Sequence, residues 1–242
     1  MFVPGCGFEC APHWRRGFDT APILITEPCM SSLLSPAELA WYVTGRFYRT
    51  GEGWLADYGY FLHLSGIVGD MFDSEPGEGA AYFTFAAKPF KARAVSNGAL
   101  NLALDPVGEF SVYLQRVPGG DFDRPESFAQ GERIATFRRT GLVVGSTVSA
   151  QVGGASVPVL GDNVFSARLI DSRAFEFQGA RYDLARILGR GVTQFGTSAT
   201  VPVAFPAHGT HPPRYELVLP FTGSAIALAG NPGGIVESVI GN

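Results

Sequence analysis

The sequence predicts an all-β protein built as a single antiparallel β-barrel, with a few short helices and an irregular N-terminal arm. Between Trp41 and Phe221 the chain reads as short extended segments separated by turns rich in Gly, Pro and Asp, and many such strands usually close into a barrel or a sandwich. Hydrophobic residues make up 46% of the 242 positions, which is enough to build a core and excludes wholesale disorder. Patterning alone does not separate a barrel from a sandwich, and we prefer the barrel.

The N-terminal part of the chain predicts an arm followed by a helix. Residues 1–34 read as an irregular arm with one strand over 22–27. The sequence Ser-Pro-Ala-Glu at 35–38 is typical of a helix start, because Ser can cap the helix, Pro suits its first position, and Glu can return a hydrogen bond to the cap. This short helix should end before Gly45.

The barrel domain, residues 35–230, carries most of the predicted strands. Those of its first half cover 46–50, 54–67, 80–87, 90–95 and 100–104. Turn residues at 51–53 and 75–79 separate some of them, and Asn97-Gly98 is a strong two-residue hairpin signal. Those of the second half cover 109–116, 133–139, 142–152, 164–170, 175–177, 181–182, 192–195, 215–219 and 224–229.

Two more short helices and an apolar tail complete the predicted organisation. Residues 123–126 open one helix, which Gly131 should close, and Asp183 caps another over 184–188. The tail, residues 231–242, contains Gly and Pro together with several Ile and Val side chains. It can pack on the barrel or on a neighbouring subunit, so a homo-oligomer is one expectation.

Charge and hydropathy exclude two classes of partner. The formal net charge is −4, and Lys and Arg lack the basic stripe that neutralises phosphates, so no nucleic acid is expected. No apolar run reaches the ~20 residues that a membrane-spanning helix needs. The N-terminal residues lack the basic start and unbroken apolar stretch of a secretory signal. We therefore predict no membrane span and a cytoplasmic location.

All three cysteines of the chain lie in the arm, where they allow a metal-site interpretation. Cys6, Cys10 and Cys29, with His13, provide the three thiolates and one imidazole of a tetrahedral zinc set. Their spacing matches no zinc motif, so we favour reduced, partly buried thiols and predict no metal. A disulfide would need an oxidising compartment and would leave one cysteine unpaired.

Residues 44–48, Thr-Gly-Arg-Phe-Tyr, enter a predicted strand after a predicted short helix. This segment resembles the Gly-x-Trp-Tyr opening motif of the lipocalins, with Phe47 where that family has Trp. The strand-rich body is also similar to the barrels of the allene-oxide-cyclase and dirigent group. Both resemblances imply a barrel with an apolar ligand cavity, since the first family mostly carries ligands and the second group steers cyclisation or radical coupling. Neither implies a catalytic residue at a matched position.

The motifs of common catalytic and nucleotide-binding sites are absent from the sequence. The chain has no Gly-x-Ser-x-Gly elbow, no P-loop and no His-Glu-x-x-His. Its paired glycines, at 119–120, 153–154 and 233–234, lack the Gly-x-Gly-x-x-Gly context of a Rossmann site. We therefore expect no cofactor, and any chemistry should rest on the side chains alone.

The segment 109–116 has the clearest alternation and offers the best candidate site. Its polar face consists of Glu109, Ser111, Tyr113 and Gln115, and its apolar face of Phe110, Val112 and Leu114. If the polar face points into the barrel, desolvation would raise the pKa of the Glu109 carboxyl so that it acts as an acid or base. Tyr113 could then stabilise a developing oxyanion. In the alternative interpretation the polar face meets solvent and the apolar face forms the core.

A second candidate group lies on the predicted strand that contains Asp57. Together with Tyr58, Tyr60 and His63 it offers an acid, two phenols and an imidazole. Alternation puts His63 on the same face as Phe61, and a lone His among apolar residues is more often a hydrogen-bonded core residue than a functional one. The aromatic run of this strand likewise suits a core.

Two further sets of side chains allow binding interpretations. Arg138 and Arg139 are neighbours on a predicted strand, so one of them faces inward, where it can bind a carboxylate bidentately or pair with a structural acid. His208 and His211 would form a three-histidine metal site with His63 only if the two segments met. Loop histidines are usually solvated, so we predict no metal there either.

These observations predict a protein that binds a small hydrophobic molecule in a barrel cavity. If it is an enzyme, we expect a cofactor-free isomerase, cyclase or hydratase (a lyase) that uses acid/base chemistry. Its catalytic residues would be Glu109, which moves the proton, with Tyr113, Tyr60 and His63. The ligand-binding residues would be Tyr58, Ser111, Gln115, Phe61 and Arg138. The alternatives are a non-catalytic carrier of an apolar ligand and a structural or assembly protein.

Overall fold

The structure, a computed structural model, describes residues 34–91, 93–97, 100–105, 108–152, 154–203 and 214–228. The predicted arm, except for residue 34, lies outside these ranges, and so does the strand expected over 22–27. The predicted tail, on which the expectation of a homo-oligomer rests, also lies outside them.

Twelve strands carry most of the described chain. They are β1 (Leu39–Arg49), β2 (Leu55–Leu64), β3 (Phe83–Ala87), β4 (Arg93–Asn97), β5 (Leu100–Asp105), β6 (Glu109–Leu114), β7 (Glu132–Val152), β8 (Ala155–Ser172), β9 (Phe175–Phe177), β10 (Ala180–Tyr182), β11 (Gly191–Ser198) and β12 (Leu217–Ala227). The helical segments of the described residues are a 3-10 helix, Pro125–Ala129, and α1, Leu184–Leu188. The predicted all-β class is confirmed.

Eight of the strands form a closed antiparallel barrel in the order β1, β2, β3, β6, β7, β8, β11 and β12. Each pairs with the next, and β12 closes the barrel by pairing with β1, from Leu39 opposite Ile226 to Arg49 opposite Leu217. The predicted single antiparallel barrel is therefore confirmed, and the sandwich is excluded. Closure leaves the eight barrel strands without a free edge, whose backbone groups would otherwise stay unpaired.

Two hairpins lie outside the barrel. β7 and β8 have 21 and 18 residues, and the β4–β5 hairpin pairs with the part of β7 between Val143 and Val148. The β9–β10 hairpin forms a separate sheet and leads into α1. Asp183 caps α1 as predicted, because its carboxylate accepts a hydrogen bond from the backbone N–H of Ala185 at 2.9 Å.

The helix predicted to start at 35–38 is wrong, since residues 39–49 form β1. Glu38 does return a hydrogen bond to the backbone N–H three residues earlier. Ala37, however, has a φ of +66°, which is incompatible with a right-handed helix. Beyond it, buried Trp41 and exposed Tyr42 alternate across a strand that pairs with both β2 and β12. Pairing on two sides outweighs the local helix signal.

Apolar side chains fill the end of the barrel where β2 ends and β3 begins. α1 and the β9–β10 hairpin cover this end and form a plug that joins the core of the strands. The buried side chains of the plug are Phe175, Phe177, Tyr182, Leu184, Ile187 and Leu188. A second group, the outer cluster, packs outside the barrel and contains Tyr48, Ala56, Tyr58, Ala86, Phe122, Phe128, Tyr215 and Val218. The plug leaves the opposite half of the barrel interior for a cavity.

Candidate functional site

A cavity of about 220 Å³ occupies the half of the barrel opposite the plug. Its wall is mainly aromatic, with the side chains Trp41, Phe47, Phe61, Phe85, Phe90, Phe110, Phe165 and Phe221. Several of the rings contact one another edge to face: the centroids of Trp41 and Phe61 lie 5.6 Å apart at 90°. Such a wall can bury an apolar molecule and offer ring contacts to an aromatic one.

A pair of glycines makes room for two of these rings. Gly45 of β1 lies opposite Gly59 of β2. A Cβ on Gly45 would come within 2.9 Å of Cζ of Phe221, and a Cβ on Gly59 within 2.7 Å of Cζ of Phe85. The rings of Phe85 and Phe221 therefore pack against bare backbone, where a larger residue would collide with them.

A buried ion pair interrupts the aromatic wall. Nη2 of Arg139, on β7, donates a hydrogen bond to Oδ2 of Asp57, on β2, at 2.7 Å. Only 4% of the Arg139 side chain and 9% of the Asp57 side chain are exposed. The guanidinium lies 4.6 Å from the ring centroid of Phe90 and 5.0 Å from that of Phe165, and these cation–π contacts hold it beside the carboxylate.

The Asp57 carboxyl has an altered acidity and one unused acceptor. Burial raises its pKa above the ordinary value, because the charged form loses water, while Arg139 acts in the opposite direction. Oδ1 of Asp57 is buried and has no hydrogen-bond partner among the described residues. A buried acceptor without a donor is costly, so this atom is a point at which a bound molecule can gain a hydrogen bond.

A buried amide fixes the orientation of the indole ring in the wall. Nε1 of Trp41 donates to Oε1 of Gln194 at 2.7 Å, and Nε2 of Gln194 donates to the backbone carbonyl of Phe195 at 3.2 Å. Gly223 leaves room for this amide, since a Cβ at that position would collide with Nε2 of Gln194. Gln194 is thus engaged in positioning Trp41.

Polar side chains line the cavity at the end of the barrel away from the plug. They are Arg49, Ser146, Thr147, Asp162, Asn163 and Ser198. Arg49 and Asp162 are exposed, so the cavity reaches solvent at this end. The site therefore consists of an open polar mouth, an aromatic interior and one buried ion pair.

The predicted polar face of β6 lies outside the barrel, and Phe110, Val112 and Leu114 form the core face, as the alternative interpretation expected. The polar face does not simply meet solvent, however, because Ser111 and Gln115 are buried. Glu109 accepts hydrogen bonds from Lys88 and, at 2.8 Å, from Nη2 of Arg138. These two cations lower the pKa of Glu109, so its acidity changes in the direction opposite to that expected for an inward carboxyl.

The remaining members of that face make structural contacts on the outer side of the barrel, where Ser111 and Gln115 are buried. The hydroxyls of Ser111 and Thr136 lie 3.0 Å apart, and Nε2 of Gln115 donates to Oγ1 of Thr84 at 3.1 Å. Tyr113 packs against the outer cluster. A role of this face in a reaction stays a prediction, but none of its residues lines the cavity.

The second candidate group is split between the two faces of β2. Asp57 and Phe61 face the cavity. Tyr58, in contrast, belongs to the outer cluster, and Tyr60 packs against it. His63 is exposed, and its Nε2 lies 3.0 Å from Oγ of Ser65.

A β-bulge explains why the simple alternation of this strand fails. Val43 pairs with Phe61, but the preceding residue, Tyr42, pairs with His63, so Leu62 is an extra residue in β2. A bulge shifts every later side chain to the other face. As a result His63 points outward and Leu64 is buried in the core.

Of the two neighbouring arginines, Arg139 faces inward and Arg138 outward. Arg138, the predicted ligand-binding residue, is exposed and pairs with Glu109. The expectation that one of the two faces inward is met by Arg139, and the structural acid with which it pairs is Asp57. Sequence reasoning missed Gln194 and Trp41 as site residues, since no local pattern marks either of them.

No group of three or more His, Cys, Asp or Glu side chains that could hold a metal ion occurs within the described ranges. The cysteine and histidine set of the arm, Cys6, Cys10, His13 and Cys29, lies outside the described residues, as do His208 and His211.

Comparison with protein-family models, curated proteins and solved structures finds no match to this chain. In the part of the chain that the structure describes, no helix has the length and apolar character needed to cross a membrane. The barrel itself is consistent with a lipocalin-like fold, and a function has to be argued from the site.

Proposed function

We propose that this protein binds a small, largely hydrophobic molecule inside its barrel. The observation that carries the proposal is the cavity of about 220 Å³, with its aromatic wall and its polar mouth at the solvent. Burial of apolar surface supplies most of the free energy of binding in such pockets, and a few placed polar groups fix the orientation of the ligand. Here those groups are Asp57 and Arg139.

The volume of the cavity limits the size of the ligand. It exceeds the ~150 Å³ of an apolar cavity that accepts benzene. It is below the ~300 Å³ at which pockets for drug-sized molecules begin. A ligand with one or two rings, or an aliphatic chain of similar volume, therefore fits this interior without an expansion of the barrel.

Native mass spectrometry of the purified chain, with the mass under denaturing conditions as reference, tests the proposal directly. We expect a co-purified small apolar molecule, or saturable binding of added 2-methoxynaphthalene measured by calorimetry.

Two neighbouring substitutions on β3 provide a matched pair. Ala87→Leu fills the cavity, which Ala87 lines, and should abolish binding. Ala86→Leu adds the same volume to the outer cluster and should preserve it. Equal binding by both variants would overturn the proposal.

A second candidate function, cofactor-free acid/base catalysis, is supported by the buried carboxyl of Asp57. Its pKa is raised by burial, and a carboxyl in an apolar cavity can exchange a proton with a bound substrate. An isomerase or cyclase would fit this chemistry. In this version Asp57, and not Glu109, transfers the proton. The role of Tyr113 or Tyr60 in polarising the substrate oxygen stays a prediction.

Two conservative substitutions distinguish the catalytic role of Asp57 from that of Glu109. With the co-purified compound as substrate, Asp57→Asn should lower turnover by at least about a hundredfold, the usual contribution of a general acid or base. Glu109→Gln should leave turnover within about twofold, because this carboxyl is bound to two cations outside the barrel. The reverse result would restore Glu109 as the proton-transfer residue, and an absence of turnover in the unaltered protein would favour carriage.

A further inference from the structure

The unused acceptor of Asp57 constrains the chemical class of the ligand. Oδ2 accepts a hydrogen bond from Arg139, and Oδ1, on the same carboxyl, has no partner within the described residues. Asp57 is 6% exposed and contributes to the wall of the cavity. The carboxyl, which belongs to the cavity wall, therefore has one buried acceptor without a donor, and a ligand that carries a hydrogen-bond donor can satisfy it.

The charge of the ion pair argues for an uncharged donor. Asp57 and Arg139 together carry no net charge, and both are almost fully withdrawn from water. A ligand ammonium or carboxylate would add a third, uncompensated charge to a low-dielectric interior, which is strongly unfavourable. A hydroxyl adds no charge and donates one hydrogen bond, and a bond to an ionised acceptor is stronger than one between neutral groups.

The aromatic wall specifies the rest of the molecule. Phe90 and Phe165 flank the guanidinium, and Trp41, which Gln194 holds in place, lies in the same cavity wall. The surfaces beside the ion pair are therefore aromatic. Edge-to-face contacts with such rings favour a flat aromatic ligand over a flexible chain, which would lose more conformational freedom on binding.

We infer that the ligand is an uncharged aromatic hydroxyl compound, such as a phenol with one or two rings, whose O–H donates to Oδ1 of Asp57. This inference deepens the proposed function and rests on it. The hydroxyl lies at the ion pair, and the rings lie among the aromatic side chains of the wall.

Calorimetric titration of the full chain at neutral pH with three compounds of one ring system tests the inference. 2-Naphthol carries a donor, 2-methoxynaphthalene lacks it, and 2-naphthoate carries a charge. We expect 2-naphthol to bind at least about tenfold more tightly than either of the others, as one hydrogen bond to a charged group predicts. If 2-methoxynaphthalene binds as tightly as 2-naphthol, the inference is wrong although the cavity function stands. If none of the three binds, both are wrong.

A double substitution links the preference to the ion pair. Asp57→Leu with Arg139→Met replaces both charges by apolar side chains of similar volume, a change that buried pairs often tolerate. The variant should still bind 2-methoxynaphthalene, and its preference for 2-naphthol should fall to within about twofold. A preference that persists in this variant would assign the hydroxyl to another acceptor and overturn the inference. Circular dichroism confirms that the variant is folded before the titration.

Discussion

Asp57 and Arg139 place two opposite charges in an interior that is otherwise mainly aromatic. A buried pair of this kind is weak evidence for stability, because the cost of removing both charges from water offsets their attraction. Apolar residues at both positions would fill the same space. The pair is therefore better explained by the proposed binding function than by stability, since it supplies the buried polar groups of the cavity wall.

The cost of leaving Asp57 without its partner should be large. We expect Arg139→Met to lower the free energy of unfolding by about 3–5 kcal/mol at neutral pH, because an unpaired carboxylate then remains in the core. Arg138→Met is the matched control. It changes the neighbouring arginine, whose ion pair with Glu109 is half exposed, and should cost less than about 1 kcal/mol. Denaturant unfolding of both variants measures the difference.

The free energy of unfolding of Arg139→Met should also depend on pH. Burial raises the pKa of Asp57 in the folded state, and both interactions that lower it come from Arg139. A raised folded-state pKa contributes stability that is fully present below the unfolded pKa and lost as the pH rises through the folded value. The loss of stability in Arg139→Met should therefore shrink as the pH falls from neutral toward the ordinary pKa of a carboxyl. A loss that is independent of pH would mean that Asp57 does not titrate in this range.

Strands β1 and β2 depend on the opposed glycines Gly45 and Gly59. The close approach at this point lets Phe85 and Phe221 fill the barrel beside the cavity. In a strand, glycine usually weakens the element, because it packs no side chain and loses more conformational freedom on folding. Its presence at two facing positions is explained by the space that the rings require.

A methyl group at one of these positions should therefore disturb both the wall and the fold. Gly59→Ala would bring its Cβ into collision with the carbonyl oxygen of Thr44 and within 2.7 Å of the Phe85 ring. We expect a loss of about 1–3 kcal/mol, as for other overpacked cores. Gly119→Ala, which meets no atom within 4 Å, is the control and should stay within about 0.5 kcal/mol. Equal thermal midpoints for the two variants would contradict this account of the glycine pair.

At the scale of the whole molecule, closure of the barrel joins the two ends of the described chain. β1 and β12 pair along their full length although about 180 residues separate their hydrogen-bonded partners. The cavity exists only when this pairing is formed, because β1 and β12 both contribute to its wall. Folding with such non-local pairing is expected to be slow, on the order of milliseconds to seconds.

Native-state hydrogen exchange should distinguish the barrel from its attached hairpin. We expect amides of β1, which pair on both sides, to exchange only through global unfolding. Amides of β4, whose only neighbour in the described sheet is β5, should exchange at a lower free energy through local opening. Amides of β4 that exchange as slowly as those of β1 would show that the hairpin and the barrel open as one unit.

The sequence by itself determined the all-β class, most strand positions, the capped helix after Asp183 and the apolar face of β6. These features depend on short-range patterns: alternation with a period of two, turn residues and helix caps. It also indicated that one of Arg138 and Arg139 faces inward, because neighbours on a strand always point to opposite sides.

Only the tertiary structure decided which side is inward and which residues meet there. Alternation is symmetrical, so it could not tell the polar face of Glu109 from a cavity wall, and the bulge at Leu62 reversed the later part of β2. The pairing of Asp57 with Arg139 joins residues 82 positions apart on strands that are not neighbours in the barrel. Such a contact arises from closure of the whole sheet, and no local signal in the chain encodes it.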